Sequence, residues 1–185
     1  QKDANTHVTR YAYDGLGRRV STTLPLGQSS ATVFNAVGNL ASATRLFAGL
    51  EDVLAAFEAD GLPWGVVTNK PGWLTEPLLQ QLGLAQRACC IVSGDTVAER
   101  KPHPLPLLHA ARVAGVAANH CVYVGDAERD IAAGRAAGMQ TVVAAYGYLG
   151  DEDRPESWQA DGIITRPDQV VDWLTLRHAG ATVNA

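Results

Sequence analysis

The sequence predicts an α/β fold built on a parallel sheet flanked by helices, and three observations carry that reading. From Leu46 onward, short apolar runs alternate with segments of helical periodicity, the order a parallel sheet with crossover helices produces. The Val-rich run Cys121 to Val124 is bounded by turn chemistry, as in a strand buried on both faces. That run breaks off at Gly125-Asp126, and a helix-like segment with Asp130 follows. In open α/β sheets, ligands sit just beyond strand ends of this kind.

Taken in order, Leu50 to Phe57 has apolar residues at helical spacing and ends near Gly61. Pro63 to Thr68 reads as a strand stopping at Asn69-Lys70-Pro71-Gly72. Leu74 to Leu82 is a helix closed by Gly83, a residue suited to the left-handed C′ position. Cys89 to Val92 is the next strand, broken by Ser93-Gly94-Asp95. Lys101-Pro102-His103-Pro104 leads into a helix from Leu105 to Ala114, where proline is tolerated in the first turn. After the strand ending at Gly125 come a helix over Arg129 to Ala137, a strand over Gln140 to Ala145 and a Gly/Asp/Pro-rich loop. Gly162 to Thr165 reads as a short edge strand and Gln169 to Leu176 as a closing helix, with a frayed tail from His178.

With 185 residues, 46% hydrophobic and 18% charged, the chain can bury a real core as one domain or as one domain with an appendage. A net charge of −4 gives no reason to expect nucleic acid or an anionic membrane as partner. No run approaches the ~20 apolar residues of a membrane helix, and no signal peptide is visible. Cys89, Cys90 and Cys121 sit in apolar runs, which predicts buried free thiols and a reducing, cytoplasmic compartment. A chain that begins at Gln1 and has Met139 as its one methionine reads as a piece of something longer.

The first 45 residues differ in style. They carry a net charge of +3 against −7 for the rest, and all four tryptophans lie in the later part. Tyr13-Asp14-Gly15-Leu16-Gly17-Arg18-Arg19 returns 21 residues on as Phe34-Asn35-Ala36-Val37-Gly38-Asn39-Leu40. Alternation around Gly-bearing turns predicts short antiparallel strands, and an echo at this period points to stacked repeats. The segment resembles the tyrosine-aspartate (YD) repeats of the rearrangement-hotspot (Rhs) wrapping proteins. Two repeats cannot close a shell, which predicts a segment weakly ordered by itself.

Three strand-end features stand together in the later part: Thr68-Asn69, Lys101, and Gly125-Asp126 with Asp130. Singly, each has a plain reading as a turn residue, a surface charge or a helix cap. Jointly they supply phosphate chemistry. A hydroxyl and backbone amide at a strand tip hold phosphoryl oxygens, a lysine neutralises charge, and carboxylates suit Mg²⁺.

In this constellation the chain resembles the haloacid dehalogenase (HAD) superfamily over roughly Thr44 to Leu176. Val66-Val67-Thr68-Asn69-Lys70 looks like its second motif, Arg100-Lys101-Pro102 its third, and Gly125-Asp126-Ala127-Glu128-Arg129-Asp130 its fourth. Val-Thr-Asn-Lys-Pro-Gly-Trp and Ala-Gly-Arg-Ala-Ala-Gly-Met look nearest to bacterial phosphoglycolate phosphatases, with N-acetylmuramic acid 6-phosphate phosphatases almost as similar. The resemblance implies a Rossmann-like core, Mg²⁺, and hydrolysis of a small phosphorylated metabolite, 2-phosphoglycolate or a sugar phosphate, through a phosphoaspartyl intermediate. It implies that Thr68 and Asn69 bind phosphate, that Lys101 steadies it, and that Thr68 and Lys101 take part in catalysis. Asp126 would ligate Mg²⁺, and Asp130 would ligate it or orient its water. Asp95, in a Ser-Gly-Asp turn, reads more simply as a turn residue than as support for that site.

The family's first motif, a strand ending in Asp-x-Asp-Gly-Thr that supplies the nucleophile, has no counterpart here. Its nearest imitation, Tyr11-Ala12-Tyr13-Asp14-Gly15, puts Ala12 where the nucleophile belongs, and alanine cannot form an acyl phosphate. Roughly 30 residues separate Asp14 from Thr44, too few for the helical cap that serves as a substrate lid. The expected organisation is therefore a YD-repeat-like, β-hairpin-like appendage over 1–44, a partial HAD core without first-motif strand or cap over 45–177, and a tail over 178–185. Two functions follow: a phosphatase impaired by its lost nucleophile, whose partner would be the missing N-terminal half, or a non-catalytic binding or structural module fused to YD repeats.

Overall fold

Short runs of Ser, Thr, Val and Tyr give the first part of the molecule its strands, as β-branched and aromatic residues fit a pleated surface. The computed structural model describes residues 10–13, 19–23, 29–34 and 40–42 as backbone, residues 45–175 in full, and the backbone of the closing helix beyond them. It divides into two units, Gln1–Arg45 and Leu46–Ala185. In the first unit β1 (Arg10–Tyr13), β2 (Arg19–Thr23), β3 (Ser29–Phe34) and β4 (Leu40–Ser42) form one antiparallel meander in chain order. Tyr11 pairs with Thr22, Ser21 with Ala31 and Val33 with Ala41, and the β1–β2 register slips between Ala12 and Tyr13. The turn residues of the echo, at 14–18, 24–28 and 35–39, lie outside the described residues.

The second unit is α/β with parallel strands. β5 (Val66–Val67) pairs with β6 (Ile91–Val92), and β7 (Val122–Gly125), β8 (Gln140–Ala144) and β9 (Gly162–Ile164) pair in that order. Two strands are shorter than the sequence predicts. Pro63 has no N–H to offer a ladder, although Trp64 C=O still accepts from Cys89 N–H at 2.8 Å. β8 fits the fully buried type, with Val142 and Val143 completely covered. The sequence predicts the same of β7, yet all four of its residues are only half-buried, and among the described residues one of its edges has no strand partner.

Helices cover both faces. α1 (Leu50–Ala59), α2 (Gly72–Gln81) and α5 (Gln169–Ala181) lie on one side, and α3 (Leu105–Ala114) and α4 (Glu128–Ala136) on the other. Their apolar residues recur at helical spacing, so each buries one stripe. Adjacent residues of α1 serve different halves of the sheet: Val53 packs with Val142, Ile164 and Val170, and Leu54 with Leu79 and Leu84. Across the sheet, Leu107 and Ala111 of α3 cluster with Ala133 of α4, with Ala137 just past its end and with Met139, and Val67 and Tyr123 pack against that cluster. Leu107 and Ile131 are completely buried, each contributing about 1.5–3 kcal/mol by area. The closing helix runs to Ala181, past the end expected at Leu176, since the alanines beyond His178 favour helix enough to carry Gly180. Among the described residues no helix is long and apolar enough to cross a membrane.

Candidate active site

β5 and β7 end at one place. The cavity beyond their tips, ≈ 420 Å³, is lined by Thr68, Asn69, Lys101, Asp126 and Asp130 together with Arg129. Each reaches it for a local reason. Thr68 N–H closes the β5–β6 ladder on Val92 C=O at 2.8 Å, which fixes the residue at the strand tip. Its Oγ1 accepts from Lys70 N–H at 3.1 Å, leaving the hydroxyl proton for a ligand.

Asn69 has a different place from a plain phosphate contact. Its Nδ2 donates to Lys101 C=O at 2.8 Å and its Oδ1 accepts from Lys101 N–H at 3.0 Å. This two-way clamp sets the backbone of the lysine 32 positions away. The loop between is pinned further: Arg100 Nε donates to Gly94 C=O at 2.7 Å, and Asp95 Oδ1 accepts from Gly72 N–H at 2.8 Å at the start of α2. Asp95 is thus more than a turn residue, since it ties the second strand-end loop to the first.

Lys101 is buried. Its Nζ donates to Val67 C=O at 2.9 Å and to Tyr123 OH at 2.7 Å, and it lies 2.8 Å from Asp130 Oδ1. The Tyr123 hydroxyl in turn donates to Val67 C=O at 3.1 Å. Burial first, then the charges of Asp130 and Asp126, raise the Tyr123 phenol well above its ordinary range, with Arg129 working against them. Tyr123 therefore stays a neutral donor, a part the sequence did not reveal. The available signal was a polar-tipped residue inside an apolar strand, since a buried phenol needs a partner.

The two carboxylates are held by glycines and by the start of α4. A Cβ on Gly125 would overlap the Asp130 side chain, and one on Gly147 would overlap Asp126. Gly147 also escaped the sequence reading. Asp126 Oδ2 accepts from Tyr148 N–H at 2.9 Å, and Asp130 Oδ1 is buried with ion-pair proximity to Lys101 but no hydrogen bond of good geometry. Oxygen atoms of this kind, one half-engaged and one buried and unbonded, fit a hard cation. Among the described residues no group of three or more His, Cys, Asp or Glu is placed for a metal. Two carboxylates supplying oxygen donors at the cavity would suit a hard cation such as Mg²⁺.

The cysteines correct an expectation. Cys89 is exposed, and Cys90 and Cys121 are half-buried, all three as free thiols. The runs that hold them flank strand ends rather than strand centres, so the apolar sequence does not guarantee burial. Burial and the neighbouring Cys89 and Cys121 push the Cys90 thiol up to about 11.

Parallel strands with helices on both faces gather carboxylate, lysine and hydroxyl at their tips. The family model for haloacid dehalogenase-like hydrolases matches residues 28–144, and the chain belongs to that family. Its relatives narrow the likeness: the phosphoglycolate phosphatase of Xanthomonas campestris pv. campestris is 56% identical over 132 residues, 71% of this chain and 59% of that protein. The N-acetylmuramic acid 6-phosphate phosphatase of Pseudomonas aeruginosa is 44% identical over 131 residues, 71% of this chain and 58% of that one. The crystal structure of a predicted phosphoglycolate phosphatase from Haemophilus somnus superposes with a TM-score of 0.67 at 28% identity, covering 72% of this chain and 59% of the other. The chain therefore spans about three fifths of the length of these relatives. At the other end, the RHS repeat model matches residues 1–29.

Proposed function

We propose that the unit beginning at Leu46 is the phosphate- and cation-holding part of a Mg²⁺-dependent phosphomonoester hydrolase for a small phosphorylated metabolite, 2-phosphoglycolate or a sugar phosphate. The observation that supports this most is one cavity shared by Thr68, Lys101, Asp126 and Asp130. Thr68 would donate its hydroxyl to a phosphoryl oxygen, and Lys101 would neutralise charge there. Asn69 acts through Lys101 by fixing its backbone. Asp126 and Asp130 would hold Mg²⁺, which when bound supplies charge stabilisation to phosphoryl oxygens.

Among the described residues, the carboxylates lining the cavity are Asp126 and Asp130, both assigned to the cation. Among the described residues no further carboxylate lines the cavity to attack phosphorus, so the unit would bind the cation and phosphate but turn substrate over poorly. Incubation with 2-phosphoglycolate or p-nitrophenyl phosphate and millimolar Mg²⁺ tests this, the expected result being little turnover. Vigorous turnover abolished by Asp126→Ala, without help from another chain, contradicts the impaired reading.

One observation favours the second reading, a non-catalytic module fused to YD repeats. The Lys101 ammonium is already surrounded by Val67 C=O, Tyr123 OH and Asp130. On that reading neither Mg²⁺ nor inorganic phosphate changes the stability of the protein.

A further inference from the structure

We infer that Lys70 and Arg129 form a second anion seat beside the phosphoryl site, and that this seat reads a carboxylate carried by the same small phosphomonoester. The inference rests on the phosphate reading of Thr68 and Lys101 and goes on to say which ester the cavity prefers.

Three cationic side chains border the cavity, Lys70, Lys101 and Arg129, against two carboxylates, Asp126 and Asp130. Their engagements differ. Lys101 Nζ is held inside the protein by Val67 C=O, the Tyr123 hydroxyl and Asp130. Lys70 and Arg129 are exposed, and among the described residues neither side chain makes a hydrogen bond or an ion pair. The carboxylates do not neutralise them, because both are turned elsewhere. Asp126 Oδ2 accepts from Tyr148 N–H at 2.9 Å and packs against Gly147. Asp130 Oδ1 lies 2.8 Å from Lys101 Nζ.

Both basic residues are set at the cavity by their backbones. Lys70 N–H donates to Thr68 Oγ1 at 3.1 Å, and its C=O accepts from Gly94 N–H at 2.8 Å and from the Thr75 hydroxyl at 3.1 Å. The main chain of Lys70 is therefore fixed next to the phosphate-facing residues while its side chain stays free. Arg129 stands in the first turn of α4, between Asp126 and Asp130 in sequence. Its charge lowers the Tyr123 phenol against the pull of burial and the two carboxylates. The guanidinium is thus felt inside the cavity, which Tyr123 also lines.

Charge and reach select the ligand. A divalent cation would cancel the two carboxylates, which leaves three positive side chains facing one phosphoryl dianion. A single negative charge is still wanting, and it must sit within a few bonds of phosphorus to share a cavity of ≈ 420 Å³. A carboxylate one carbon from the ester oxygen meets both conditions. Its plane matches the Arg129 fork, which can give it two parallel N–H bonds, and Lys70 adds a point charge. The neutral hydroxyls of a sugar phosphate would leave both cations unmatched.

Non-hydrolysable phosphonates test this on the full chain without turnover. 3-Phosphonopropionate carries the carboxylate, and 3-hydroxypropylphosphonate has the same length with a neutral end. Titration calorimetry with millimolar Mg²⁺ at fixed ionic strength compares both with inorganic phosphate. The carboxylate should bind about tenfold or more tighter than the alcohol in the wild type. Lys70→Gln and Arg129→Gln are surface substitutions of little cost to stability. Each should shrink that ratio, and the double variant should bring it close to unity. Arg129→Lys should recover only part of it, since the charge stays and the fork is lost. Equal affinity of the two phosphonates for the wild type, or a ratio unchanged in the double variant, would overturn the inference while phosphate binding persists. If neither phosphonate nor inorganic phosphate binds, the phosphate reading fails and takes the inference with it.

Discussion

Lys101 Nζ lies 2.8 Å from Asp130 Oδ1 with both side chains 7% exposed. The pair joins the loop before α3 to the first turn of α4, so it couples two of the three strand-end features on which the site depends. Buried pairs of this kind resist the loss of one member far more than the loss of both.

Lys101→Met should therefore destabilise the protein by about 3–5 kcal/mol, since it strands a buried carboxylate. Lys101→Met combined with Asp130→Asn should recover about 1–3 kcal/mol of that loss. Urea unfolding of the wild type, both single variants and the double variant measures the coupling. Additive losses would show that the two groups do not interact.

Gly147 gives a more selective handle on the cation. A methyl group there overlaps the Asp126 side chain, and overpacking of this sort costs about 1–3 kcal/mol where nothing yields. The adjoining Tyr148 is exposed, so the loop and Asp126 should move instead. Gly147→Ala should melt near the wild-type temperature without metal and lose its response to Mg²⁺, read as paired thermal melts.

Cys90 predicts an alkaline weakness. Its folded-state value is raised from 9.0 to about 11, so the native protein holds a proton that the unfolded chain releases first. The associated stability is complete below pH 9 and is lost as pH climbs toward 11. Denaturant melts across that window should show a decline that is shallower in Cys90→Ala.

Much of this was legible because it is local. Gly83 and Gly138 end their segments with positive φ, and Gly125-Asp126 marks the end of β7. Such signals need no knowledge of the rest of the chain. The five polar residues found from motif order do share one cavity. What escaped was set by distant partners. Tyr123 acquires its role from Val67, 56 positions away, Asn69 from Lys101, and Gly147 from the space Asp126 needs. The half-burial of β7 likewise depends on what lies beside it, which its own valines do not record. Cys89 shows the converse, an apolar neighbourhood in sequence that ends on the surface.

The most direct test of the cation and phosphoryl site is a thermal melt of the chain with millimolar Mg²⁺ plus inorganic phosphate, beside Asp126→Asn and Asp130→Asn. Mass action predicts a rise of several degrees for the wild type and little or none for either variant. No rise in the wild type, or the same rise in all three proteins, would contradict the site.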